Sequence, residues 1–195
     1  SGDYRDWGKI RHSFVENKYG TSTSLATNPF GRPHSMDGTG VDIVIQDSGL
    51  QIDHPEFTDT SGNSRIQLID WYSASGVSGS QSASHYGDTD GHGTHCGGTA
   101  TGLNFGWAPN ARIYSVKVAG LEGSGDSGGI STSSCFDVIK GWHENKPIDP
   151  NTGYKRPTIV NASWGYSFYM GSSFTNINSY VYRGANYNSG TAGWS

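Results

Sequence analysis

The segment DGHGTHCGGT spans residues 90–99 and sets two histidines and a cysteine among four glycines. Glycine disfavours a helix in isolation, but small residues let a helix lie close on a sheet. On that reading residues 92–102 form a helix packed on a strand. The strand is supplied upstream by VDIVIQ (41–46), a nearly all-apolar, β-branched run of the kind buried on both faces of a parallel sheet. RIYSVKV (112–118) alternates and stops at Ala119-Gly120, which predicts a second strand; RIQLIDW (65–71) and residues 158–163 are further strand candidates, the latter also read as buried. Between them, residues 134–144 predict a helix with Ser134 as cap and Asp137 in capping-box position. Its apolar stripe is Val138, Ile139 and Trp142, with Phe136 near the start. Strands alternating with helical segments give an α/β fold, a mostly parallel sheet flanked by helices.

Around this frame, residues 1–40 read as an N-terminal arm and loops packed on a domain formed by 41–195. Residues 73–90 read as a polar loop, and everything from Tyr166 onward as surface loop. A length of 195 residues suits one domain with a sizeable core, and 12% aromatic content argues for packing despite only 33% hydrophobic residues. The net charge of −4 and the lack of any basic run argue against a nucleic-acid partner. No apolar stretch approaches membrane-spanning length. The chain begins at Ser1 without an initiator Met, so a processed product or internal fragment is expected. Low charge with abundant Gly, Ser and Tyr suits an extracellular or particle-associated protein. Cys96 and Cys135 could pair once, but a free, packed thiol is the expectation for Cys96 within the motif helix.

Asp47 follows a buried strand, so its carboxylate is expected at the carboxyl edge of the sheet, where open parallel sheets place their sites. Such an Asp can fix the tautomer of an imidazole and stabilise its protonated form; alone it would read as the start of a turn. His92 opens the helix between glycines and is the candidate general base. Cys96 lies four residues on, on the same helix face, and a thiol–imidazole pair is a nucleophile arrangement to weigh. Zinc on His92 and His95, with His85 nearby, is disfavoured, because the helical zinc-peptidase motif needs a four-residue spacing with an internal Glu. Asn161-Ala162-Ser163 is formally a glycosylation sequon, but in a strand it reads as a chance match.

In order, VDIVIQDSGLQIDHPEF (41–57), DGHGTHCGGT, GWAPNARIYSVKV (106–118) and TIVNASWG (158–165) resemble the subtilisin-like serine peptidases, the Asp-His-Ser family on an α/β sheet. The resemblance implies a serine endopeptidase acting on polypeptides, with Asp47 and His92 as two triad members and no cofactor needed for catalysis. It implies that Gly123, Ser124 and Gly125 cradle substrate backbone, and that Ser163, Trp164 and Gly165 line the primary specificity pocket, Trp164 replacing the commoner Leu. It makes His95 a second, structural histidine and Cys96 an accessory thiol behind His92. It makes Glu56 a calcium candidate, although residues 103–106 are too short for the usual calcium loop. Gly125-Asp126-Ser127-Gly128-Gly129 reproduces the nucleophile signature of chymotrypsin-like peptidases, but those are antiparallel double barrels, and the segment reads better as an extended substrate loop.

Neither an oxyanion Asn block nor a Gly-Thr-Ser nucleophile block follows; residues 188–195 (NSGTAGWS) supply neither. The expectation is therefore a domain truncated before both, its Ser carried by a C-terminal segment or second piece. The alternative is a domain that has lost its chemistry and serves as a structural or binding component, associating with other copies in an extracellular or virion assembly. The run from Asn161 to Ser167 and the Tyr- and Gly-rich tail resemble subtilisin-like domains of bacteriophage virions.

Overall fold

A computed structural model describes residues 37–121, 128–165 and 179–188; the predicted arm before residue 37 and the loop 122–127 lie outside them. Three strands, β1 (Asp42–Asp47), β2 (Arg112–Lys117) and β3 (Thr158–Asn161), form a parallel sheet in the order β2-β1-β3. Asp42 pairs with Arg112 on one side and Thr158 on the other, which places Asp47 level with Lys117 at the carboxyl end. The crossovers carry helices, as parallel neighbours require: α1 (Trp71–Ser75) and α2 (His92–Thr101) before β2, and α3 (Thr132–Asn145) before β3.

Each face of the sheet has its own core. On one, Ile43 and Ile45 of β1 join Leu50, Phe57, Ile66, Ala111 and Ile113, and α2 lies there against β1. On the other, Tyr114 stands against the rings of Trp71 from α1 and Trp142 from α3. The Trp71–Trp142 and Tyr114–Trp142 centroids are 5.3 and 4.5 Å apart, and such ring pairs add about 0.5–1.5 kcal/mol each beyond the area they bury. The amino end of the sheet is held by charge. Asp42, 1% exposed, accepts from Lys146 Nζ and Arg156 Nε, both at 2.9 Å.

Four sequence expectations need correction. Residues 65–71 are not a strand: only Ile66 bridges to Ile113. Arg65 is drawn aside, its guanidinium donating to the carbonyls of Thr58, Glu56, Ala111 and Thr101, and Asp70 caps α1 by accepting from Ser73 N–H at 2.8 Å. Helix α3 starts earlier than expected. Its cap is Ser131, accepting from Ser134 N–H, because Ile130 is pinned to Lys117 and Ala119 by backbone hydrogen bonds and the chain enters the helix directly after it. Phe136 consequently faces solvent and Cys135 takes the inward position. Strand β3 is not buried on both faces: Ile159 and Val160 are 54% and 41% exposed, and no strand among the described residues pairs with its outer edge.

The fourth correction lies in the tail. The chain divides into two compact units, Ser1–Ser163 and Trp164–Ser195. The second, expected to be loop, contains an antiparallel hairpin, β4 (Ser179–Tyr182) and β5 (Ala185–Asn188). Its turn residues, Arg183 and Gly184, have φ of 50° and 79°, the left-handed pair of a two-residue hairpin turn. Both cysteines are free. Among the described residues no helix is long and apolar enough to cross a membrane.

Candidate active site

The carboxyl end of β1 and the first turn of α2 meet at one hydrogen bond. Asp47, fully buried, accepts from His92 Nδ1 at 2.7 Å through Oδ1, and the same oxygen accepts from Ser48 N–H at 2.8 Å. With the carboxylate as acceptor, Nδ1 carries the proton and Nε2 is left as the imidazole's free lone pair. The His92 side chain is half exposed. The hydrogen bond from Asp47 and then the carboxylate's charge hold the imidazole's pKa above its ordinary value. Such a pair takes up a proton at Nε2 and shelters the resulting imidazolium, the role of a general base.

The approach of α2 to β1 depends on glycine. A Cβ on Gly93 would lie 2.2 Å from the Gly49 carbonyl oxygen, so the helix reaches this distance only without a side chain there. Two residues that sequence reasoning passed over complete the frame. Ser48 Oγ accepts from Gly93 N–H at 2.8 Å and donates to Asp88 at 2.9 Å. Asp88 also accepts from the N–H groups of Gly91 and Thr94. In the sequence Asp88 is one acidic residue of a polar loop, and its only signal is its place four residues before His92.

Cys96 is half-buried, its Sγ 3.8 Å from His92 Nδ1 and 3.9 Å from Nε2. Burial raises the thiol's pKa, with the Ser163 hydroxyl opposing, so Cys96 is a packed neighbour of the pair. Asp47, His92 and Cys96 offer ligand atoms within 4.8 Å of one another. Yet the 2.7 Å between Asp47 Oδ1 and His92 Nδ1 is a hydrogen-bond distance. Two ligands at ~2.0–2.1 Å from a tetrahedral zinc would stand roughly 3.3 Å apart.

The other sequence-predicted residues are placed as follows. Ser163 follows β3, whose Asn161 pairs with Ile45, and Ser163 Oγ accepts from Asn161 Nδ2 at 2.9 Å beside Cys96. Trp164 and Gly165 belong to the second compact unit, Trp164 half-buried and Gly165 exposed. Gly123, Ser124, Gly125 and the alternative nucleophile Ser127 lie outside the described residues. His95 is exposed on α2, while His85 is buried with Nδ1 against the Gly128 carbonyl and Nε2 accepting from Lys117 N–H. Burial holds the His85 pKa below its usual value, and with both nitrogens so used the three histidines form no zinc site. Glu56 spends its carboxylate on Asn104, both N–H and side chain, and on Phe105 N–H. Burial would raise its pKa, but these donors hold it below the ordinary carboxylate range. Three N–H donors thus orient the Glu56 carboxylate.

The profile of the subtilase family matches residues 38–194. This chain belongs to the subtilase family. Proteinase R of Parengyodontium album is 32% identical over 88% of the chain, and a cuticle-degrading serine protease of Orbilia oligospora 34% identical over 65%. A subtilisin-like protease of Coccidioides posadasii is 36% identical over 57%. The matches cover 36%, 28% and 25% of those proteins, so this subtilase chain spans about a third or less of each. Among solved structures, the CspB protease of Clostridium perfringens matches 79% of the chain and 33% of its own, at 23% identity and a TM-score of 0.48. These relatives lend no support to a virion origin.

Proposed function

We propose that this chain contributes the Asp–His half of a serine endopeptidase that hydrolyses peptide bonds by an Asp-His-Ser mechanism. The observation that carries the reading is the 2.7 Å hydrogen bond from His92 to the fully buried Asp47 at the carboxyl end of the central strand. His92 Nε2 takes the proton of the serine hydroxyl as that oxygen attacks the scissile carbonyl, then returns it to the leaving amine. Asp47 holds the tautomer and stabilises the imidazolium between the two transfers. No described serine is assigned as nucleophile. The proposal places it in chain beyond these 195 residues, which is supported by the small share of each relative that they cover. Ser163, Trp164 and Gly165 are proposed to pair with extended substrate as an added strand; the proposed cradling of substrate backbone by Gly123, Ser124 and Gly125 falls outside the described residues. The reaction so written needs no cofactor. A relative named for degrading cuticle supports a polypeptide substrate met outside the cell.

Labelling with a fluorophosphonate probe tests this. The native full-length protein should label at one serine, and His92→Ala should reduce the labelling rate by at least 10³-fold, the order expected when the base of a triad is removed. Absence of labelling in folded native protein, or labelling indifferent to His92, would overturn the proposal; the first result is what a chemically lapsed scaffold gives.

A further inference from the structure

We propose that Asp88 is a positioning residue for the Asp47–His92 pair, fixing the first turn of α2 on the end of β1 through two hydroxyl relays. This rests on the peptidase reading above for its catalytic consequence and on geometry for the rest. The first relay runs through Ser48, which is 1% exposed. Its hydroxyl donates to Asp88 Oδ1 at 2.9 Å and accepts from Gly93 N–H at 2.8 Å, while its own N–H donates to the Asp47 oxygen that receives His92. The second runs through Thr94, whose hydroxyl donates to Asp88 Oδ2 and accepts from Gln51 N–H at 2.9 Å. Gly91 N–H and Thr94 N–H, both at the start of α2, complete the set on Asp88 at 2.9 and 2.8 Å.

The chemistry of a hydroxyl gives this arrangement its direction. Ser and Thr have one proton each, and a carboxylate can only accept. An ionised Asp88 therefore draws both hydroxyl protons toward itself and turns both lone pairs toward the N–H groups of the facing element. Ser48 of the β1 end then receives an N–H of α2, and Thr94 of α2 receives an N–H of the chain after β1. The two straps cross the gap that the His92–Asp47 bond must also span. A cap serving the helix alone would need the bonds from Gly91 and Thr94, and neither strap to the strand. Asp88 is held ionised: burial pushes its pKa up, and the hydroxyls and N–H groups outweigh that. An Asn would put a donor against Thr94 or Ser48 and reverse one relay.

Asp88→Asn and Ser48→Ala, made in the full-length chain, test the inference. Both should lower kcat by 10-fold or more with KM changed less than about twofold, the pattern of a misplaced base under intact substrate binding. The titration of the His92 imidazole, followed by NMR, should move down toward about 6.5 in both variants. Ser48→Ala removes no charge, so its shift reports geometry, and it decides the matter if Asp88→Asn does not fold. A folded Ser48→Ala protein whose His92 titrates as in the parent, or whose kcat is unchanged, overturns the proposal. If His92 responds in both variants while the parent hydrolyses no peptide, Asp88 keeps its positioning role and the peptidase reading fails instead.

Discussion

Replacing Asp42 with Asn isolates the charge cluster at the amino end of the sheet, far along β1 from Asp47. Asp42 is 1% exposed, and the Lys146 and Arg156 side chains that bind it are 7% and 17% exposed. The substitution leaves two cations with little access to water and no anion between them. Lys146 keeps Thr158 Oγ1 at 2.7 Å, and Arg156 keeps Asp149 at 4.0 Å. Breaking a buried pair by removing one partner costs about 3–5 kcal/mol, a large share of the roughly 5–15 kcal/mol that holds a domain folded. With an m-value of about 2–3 kcal/mol/M in urea, the midpoint should fall by ~1–2.5 M. Urea unfolding monitored by tryptophan fluorescence reads this directly, because Trp142 lies under the Lys146 ammonium at 4.7 Å. A second variant, Asp42→Leu with Lys146→Met and Arg156→Met, should recover much of the loss, since apolar replacement of a buried ion pair or triad is often neutral or stabilising. A loss below about 1 kcal/mol in Asp42→Asn, at unchanged m, would refute the claim that this cluster anchors the sheet.

Helix α3 offers a sharper comparison: Ser131→Ala should cost about 1 kcal/mol in thermal or urea unfolding and Ser134→Ala much less, since only Ser131 caps the helix. Gly93→Ala should drive α2 off β1, because its Cβ would meet the Gly49 carbonyl at 2.2 Å; a loss of about 1–3 kcal/mol is expected, with weakened His92 NMR coupling to Asp47. The raised pKa of His92 gives stability and activity opposite slopes. Its stabilising contribution is complete below about 6.5 and is lost as pH rises through the raised folded value, while the neutral, catalytic form appears over that same rise; parallel unfolding and activity profiles in pH would reveal activity falling there if the reading were wrong. Cys96, half-buried, should react with iodoacetamide before Cys135, which is buried with its thiol pushed up to about 11; peptide mapping that found the reverse order would contradict the placement of both.

What the sequence made legible was whatever depended on periodicity and on strong local chemistry. The β-branched run at 41–46 and the alternation at 112–118 could only bury themselves as strands, and Asp47 had to fall at the end of the first. His92 and Asp47 were readable as a pair through the order of the motif blocks and their resemblance to the subtilisin-like peptidases, and the glycines around His92 permitted a close approach. The misses came from interactions between residues distant in sequence. RIQLIDW has strand chemistry, but four carbonyls from three other segments capture Arg65. Ser131 and Ser134 are equivalent as caps until Ile130 is tied to β2. Asp88 looks like solvent-facing loop until the Ser48 hydroxyl arrives from 40 residues away. The β4–β5 hairpin escaped because its strands alternate weakly and its Arg-Gly turn lacks the usual Asn-Gly or Asp-Gly mark.

The composition of α2 carries a consequence for synthesis. HGTHCGGTAT holds three glycines in ten residues, each costing about 1 kcal/mol against Ala, and a helix this short is marginal in water even with good formers. Left to itself the segment is coil. It becomes helix only where Leu50, Phe57 and Gly49 already stand to receive it, with Gly97 set 2.8 Å from Leu50 at the Cβ position. The imidazole therefore cannot be aligned in a nascent or partly folded chain. On the proposed reading, hydrolytic competence arrives last, with the finished fold, and an unfinished chain is not cut by its own half-made site.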